Sequence, residues 1–125
     1  MTLHTTPLAQ AVIGLAIDIH RTLGPGLLES VYDQCLAYEL SVHGHPFIQQ
    51  LGIPVTYKGV RFECGYRADF VVGDQLLLEI KSVDQLTRLH TAQMITYLRL
   101  AGLKEGLLIN FNAPRVIDGL RSLLL

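Results

Sequence analysis

The chain has 125 residues, half of them hydrophobic and 17% charged, with a formal net charge of -1. That length suits one domain spanning residues 1–125, with ample apolar material for a core. The near-neutral balance excludes a basic field over the whole molecule, so a nucleic-acid ligand needs a local basic patch. No apolar run of about 18 residues is present, so no membrane span is expected.

Residues 8–22 carry Leu8, Val12, Leu15, Ala16, Ile19 and Leu23 at helical spacing, with Pro7 at the start. After the turn Gly24-Pro25-Gly26, residues 27–43 predict a second helix with Val31, Cys35, Leu36 and Leu40 inward; Gly44 and Pro46 stop it. The period then changes. Phe47 to Tyr57 reads as a strand interrupted near Gly52 and Pro54, and Lys58-Gly59 as a turn. Val60 to Cys64, Tyr66 to Val72 and Leu76 to Val83 read as three more strands, the last two joined as a hairpin around Gly73-Asp74. Residues 85–101 return to helix on Leu86, Leu89, Met94, Tyr97 and Leu98, ended by Gly102. Leu107 to Phe111 predicts a buried strand, and Val116 with Ile117 an edge strand. The order α-α-β-β-β-β-α-β predicts an α/β fold with a mixed central sheet flanked by helices.

Asp69, Glu79 and Lys81 stand in strands where apolar residues are expected. A carboxylate inside Leu76-Leu77-Leu78-Glu79-Ile80 is expensive to bury unpaired. Glu79 and Lys81 are two apart and share a strand face. They fit either a structural ion pair or a metal carboxylate beside a lysine. The hairpin loop bears on this choice. A two-residue turn pairs 72 with 75 and sends Asp69 and Glu79 to opposite faces. A three-residue loop, Gly73-Asp74-Gln75, pairs 72 with 76 and sets Asp69 opposite Glu79. Their Cβ atoms are then about 5 Å apart, an arrangement that wants a cation. A three-residue loop or a compensating bulge is therefore predicted.

Asp69 followed at a distance by Glu79-Ile80-Lys81 resembles the D…(D/E)xK signature of the PD-(D/E)xK nuclease superfamily. Gly26-Leu27-Leu28-Glu29-Ser30-Val31-Tyr32 resembles the GxxExxY pattern that names one family within it. Tyr66-Arg67-Ala68-Asp69, Gln93 with Tyr97, and Asn110-Phe111 resemble that family in kind and order, over roughly residues 8 to 118. Ala68 stands where the superfamily usually has proline. The resemblance implies a restriction-endonuclease-like core and a metal-dependent nuclease that hydrolyses phosphodiester bonds in DNA or RNA. It implies Mg²⁺ or Mn²⁺ held by Asp69, Glu79 and the Ile80 carbonyl, with Glu29 reaching in directly or through water. Lys81 would orient or deprotonate the attacking water, or steady charge on the phosphate. Tyr32, Gln93 and Tyr97 would line the site behind these groups.

Each residue also has a plainer reading. Glu29 suits the first turn of a helix through the dipole. Glu79 and Lys81 form an exposed pair if their strand is an edge. Tyr32 is a core residue as readily as a site residue, and Gln93 and Tyr97 are polar points on a packed helix. Lys58, Arg61 and Arg67 either bind phosphates or blunt a strand edge. His43 and His45 read as solvated turn residues. The start lacks the features of a signal peptide, and Cys35 and Cys64 form no CxxC, so a cytoplasmic protein with buried thiols is expected. Two other functions fit: a catalytically silent nuclease fold that binds nucleic acid or protein, and a structural homo-oligomer. Leu120, Leu123, Leu124 and Leu125 are too apolar for a free tail, which suggests a partner surface or packing on the body.

Overall fold

A computed structural model describes residues 5–125. Helices α1 (Pro7–Leu23) and α2 (Glu29–Val42) precede strands β1 (Phe47–Tyr57), β2 (Val60–Val72) and β3 (Leu76–Lys81). Helix α3 (Arg88–Ala101), β4 (Glu105–Asn110), a 3-10 turn at Val116–Gly119 and β5 (Leu120–Leu124) complete the order. The strands form one sheet in the order β1-β2-β3-β4-β5. Only β3 and β4 run parallel, because α3 carries the chain back between them. This is the mixed sheet flanked by helices that the patterning predicts. Among the described residues no helix is long and apolar enough to cross a membrane.

The sheet is covered on both faces. Val12, Ala16 and Ile19 of α1 and Tyr32, Leu36 and Leu40 of α2 pack on Phe70, Val72, Leu78, Ile80, Leu107 and Ile109. On the other face Met94, Tyr97 and Leu98 of α3 pack on Ile53, Ala68, Val71 and Leu77. Gly106 lets α3 come close, since a Cβ there would meet Met94 Cε. Helix α1 begins at a Thr6 cap, and the buried Glu105 of β4 accepts from the Thr6 N–H (3.1 Å) and hydroxyl (2.6 Å). One carboxylate thus ties the start of the chain to the sheet. Helix α3 begins at Arg88 rather than 85, because Thr87 and His90 form a reciprocal cap there.

Several boundaries differ from expectation. The two strands expected at 60–64 and 66–72 are one strand, β2, kinked at Gly65 with φ +76°. The interruption expected in β1 is a register shift between Ile53 and Val55, which β1 tolerates as an edge strand containing Pro54. Val116 and Ile117 form the 3-10 turn, and the edge strand is β5 instead. Leu120 is buried and Leu123 packs on the α3-side core, while Leu124 and Leu125 stay exposed. Two of the four C-terminal leucines are therefore accounted for by the body of the protein. Leu23 and Leu89, expected inward, are 39% and 76% exposed, since each lies at a helix end beyond the sheet. Cys35 is free and packs against the core; the Cys64 side chain lies outside the described ones.

Candidate functional site

The β2–β3 hairpin is zipped at its turn and open at its other end. Val72 pairs with Leu76, Val71 with Leu77 and Phe70 with Leu78. The loop is thus Gly73-Asp74-Gln75, with Gly73 and Asp74 left-handed and Gln75 N–H returning to the Val72 carbonyl at 3.1 Å. This is the first of the two expected arrangements, a three-residue loop rather than a compensating bulge. The next pair in that register is Asp69 with Glu79, and there the backbone ladder stops.

Carboxylates replace the ladder at this point. The Asp69 N–H donates to Glu79 Oε1 at 3.2 Å, and the Ile80 N–H donates to Asp69 Oδ2 at 2.7 Å. Beyond them β2 continues on β1 alone and β3 on β4 alone, so the two strands fork around the acidic pair. A residue's N–H and C=O point to the same side of a strand, so the Ile80 carbonyl also faces the fork.

A second distortion lies across from Asp69. Gln50 falls opposite it in the β1–β2 register and has φ +53°. Phe47 and Phe70 pack on the α1–α2 side, whereas Leu51 and Ala68 pack on the α3 side. Side-chain alternation therefore breaks at Gln50 and Asp69. The kink turns the Asp69 carboxylate along the sheet toward β3, and Gln50 adds a side-chain hydrogen bond to it. The expected break near Gly52 and Pro54 gave no sign of this role for Gln50.

Helix α2 brings its N-terminus to the fork through three ties. Ser82, next to Lys81, donates its hydroxyl to the Leu27 carbonyl at 2.6 Å. The buried Tyr32 hydroxyl donates to the Gly24 carbonyl at 2.6 Å and accepts from the Leu27 N–H at 3.2 Å. Its ring lies flat on Phe111, with centroids 4.5 Å apart. Gly26 completes the bend at φ +94°, a conformation that side chains resist. Tyr32 therefore shapes the segment that carries Glu29. Asn110 joins the exits of β3 and β4: its Oδ1 accepts from the Val83 N–H at 3.1 Å, and its Nδ2 donates to the Val83 carbonyl at 2.9 Å.

The electrostatics bind these groups into one cluster. Burial first, and then the charge of Asp69, pushes the Glu79 carboxyl up to about 8. Burial also raises Asp69, against the Ile80 N–H and the Lys81 charge, and the two carboxyls share a hydrogen bond. Glu29 is raised by burial and by Asp69 and lowered by Lys81. Asp33, one turn after Glu29, is pushed up to about 7 by burial and then by Asp69 and Glu29. Its Oδ1 is buried without a hydrogen-bond partner. Sequence reasoning passed over Asp33, although its spacing from Glu29 places both on one helix face. Burial and then Glu79 raise the Tyr97 hydroxyl, which accepts from Gln93 Nε2 at 3.1 Å. All seven side chains singled out in the sequence thus border the fork or support it, and Gln50 and Asp33 join them.

The donors are oxygens only, which matches a hard dication rather than zinc. Four carboxylates against one lysine leave surplus negative charge, and Asp33 Oδ1 is an orphaned acceptor beside it. Among the described residues no group of three or more His, Cys, Asp or Glu side chains is arranged to hold a metal ion. Hard dications such as Mg²⁺ can be held by one or two carboxylates with water completing the shell, so the donor set is compatible with such an ion.

A forked hairpin carrying two carboxylates and a lysine, on a mixed sheet with helices on both faces, defines a nuclease-like α/β protein. The chain belongs to the PD-(D/E)XK nuclease superfamily, whose sequence model matches residues 6–122. No curated protein and no solved structure matches it.

Proposed function

We propose that the protein is a divalent-metal-dependent nuclease of the GxxExxY type, hydrolysing phosphodiester bonds in nucleic acid at the β2–β3 fork. The observation that carries this reading is the replacement of the backbone ladder by Asp69 and Glu79. A hairpin that ends its pairing on a buried and a half-buried carboxylate sacrifices stability, and cation binding is the use that accounts for it. Asp69, Glu79 and the Ile80 carbonyl would hold Mg²⁺ or Mn²⁺, with Glu29 and Asp33 reaching it through water. The ion would polarise the phosphodiester and acidify a bound water. Lys81, the one cation among these carboxylates in the described residues, would hold the attacking water or offset charge on the phosphate. Gln50, Tyr32, Gln93 and Tyr97 keep the ligands in place.

The test is cleavage of DNA and RNA oligonucleotides with Mg²⁺ or Mn²⁺ by the wild type, Asp69→Ala and Lys81→Ala. Both substitutions are expected to lower the rate at least ~100-fold. Equal rates in all three would assign any activity to a contaminant and end this reading. A second reading has its own support: both carboxylates already accept backbone N–H groups, as a catalytically silent fold allows. Calorimetry with Mn²⁺ separates the two, because a silent fold predicts no binding heat.

A further inference from the structure

The distal half of the β1–β2 hairpin stands away from the rest of the sheet and is apolar along one face. Val55 pairs with Phe62 and Tyr57 with Val60, and each cross-strand pair shares a face. Tyr66 lies on the same side: it lines one cleft with Val55, and its ring is 5.9 Å from that of Tyr97. Tyr57, Phe62 and Tyr66 are 61%, 46% and 46% exposed. Three rings this open cost solubility in a protein of low charge, so their exposure calls for an occupant.

Position and charge identify the occupant. The stripe begins at a cleft of about 660 Å³ that is also lined by Lys81, Gln93 and Tyr97. It is therefore continuous with the candidate active site, and a partner covering it would cover the site. Cations are few along it. Lys58 sits over the Tyr57 ring at the tip, 5.4 Å from its centroid, and Arg61 is paired with Glu63 at 2.7 Å. Duplex nucleic acid hides its base faces and is gripped through phosphates by rows of Lys and Arg. A chain with 10 Lys and Arg against 11 Asp and Glu has little of that to offer. Unpaired strands present base faces, which stack on exposed rings whatever their sequence.

We propose that the hairpin arm is a stacking platform for unpaired nucleic acid, with bases laid on Tyr66, Phe62 and Tyr57 and the phosphodiester leading into the Lys81 cleft. From Ile53 to Tyr57 the arm spans about 13 Å, the length of about four stacked nucleotides. The substrate is thus a single strand or a frayed end rather than intact duplex. The proposal rests on the nuclease reading and names its substrate class.

The test is fluorescence anisotropy in EDTA with the full chain, a labelled ten-nucleotide single strand and a duplex of the same length. Circular dichroism verifies folding of each variant. The single strand is expected to bind at least ~10-fold tighter than the duplex. Tyr57→Ala and Phe62→Ala should each weaken single-strand binding by about 5- to 100-fold, while Asp69→Asn should bind as the wild type does in EDTA and fail to cleave when Mn²⁺ replaces the EDTA. Equal or tighter binding of duplex, or unchanged binding by both ring variants, overturns the platform even if cleavage is intact. A wild-type dimer that Phe62→Ala dissociates also overturns it, by assigning the stripe to a second copy. Ring-dependent single-strand binding without any metal-dependent cleavage supports the platform and removes the nuclease reading instead.

Discussion

The two halves of the β2–β3 hairpin invite direct comparison. In the zipped half, Phe70, Val71 and Val72 pair with Leu78, Leu77 and Leu76, and all six side chains are buried. One residue further on, the same two strands carry Asp69 and Glu79, and the ladder ends. The first half is built from burial and backbone hydrogen bonds, each favourable in itself. The second half holds carboxyls that burial has pushed toward their neutral forms, Glu79 further by the charge of Asp69. Stability and a strained acidic centre are thus adjacent on one hairpin, and the stable half holds the strained half in register.

Breaking each half should have a different signature. On the open half, Asp69→Asn and Lys81→Met are expected to reduce nuclease activity at least ~100-fold while leaving the metal-free melting temperature unchanged or raised. Activity and thermal unfolding assayed on the same preparations check this. On the zipped half, Leu78→Ala should cost about 2–5 kcal/mol of stability, read from urea unfolding, with activity lost only as the fold is lost.

Acidity provides a gentler probe. The folded-state values of Glu79, about 8, and Asp33, about 7, lie above their ordinary 4.5 and 3.8. Between those limits the folded chain binds more protons than the unfolded one, so stability falls as pH rises from about 4 to about 8. Metal-free protein should therefore melt higher at pH 5 than at pH 8. Added Mn²⁺ should raise the pH 8 melting temperature more than the pH 5 value, because binding displaces protons. Scans at both pH values, with EDTA and with Mn²⁺, check both directions.

Two smaller effects sharpen the boundary of the site. Ser82→Ala removes the hydroxyl that holds the Leu27 carbonyl. It should cost about 1 kcal/mol of stability and weaken Mn²⁺ binding by loosening the approach of Glu29, as calorimetry would reveal. Leu124→Ser, at an exposed site on the edge strand, should change stability by less than about 0.5 kcal/mol and leave activity intact.

Local rules made much of this legible in advance. The helical periods of α1 and α2, the strand runs and the glycine stops follow from short-range sterics and patterning. Loop parity narrowed Asp69 and Glu79 to two arrangements, since a period of two leaves only two outcomes, and the Val72–Leu76 pairing selects the one in which they face each other. The tie between Glu29 and Lys81 was visible only as a resemblance. The structure supplies its means: Ser82, Tyr32 and the bend at Gly26.

What the sequence determined by itself was the menu of elements and the loop length that the acidic residues need in order to face each other, because both depend on neighbours along the chain. Only tertiary structure decided that the ladder ends at that pair and that left-handed Gln50 turns Asp69 toward β3. The same holds for the buried, unpartnered Asp33 oxygen and for the aromatic face of the arm that opens onto the Lys81 cleft. Those features arise where strands diverge and a helix end meets a sheet. Their energies depend on burial and on charges from distant segments, which no local pattern encodes.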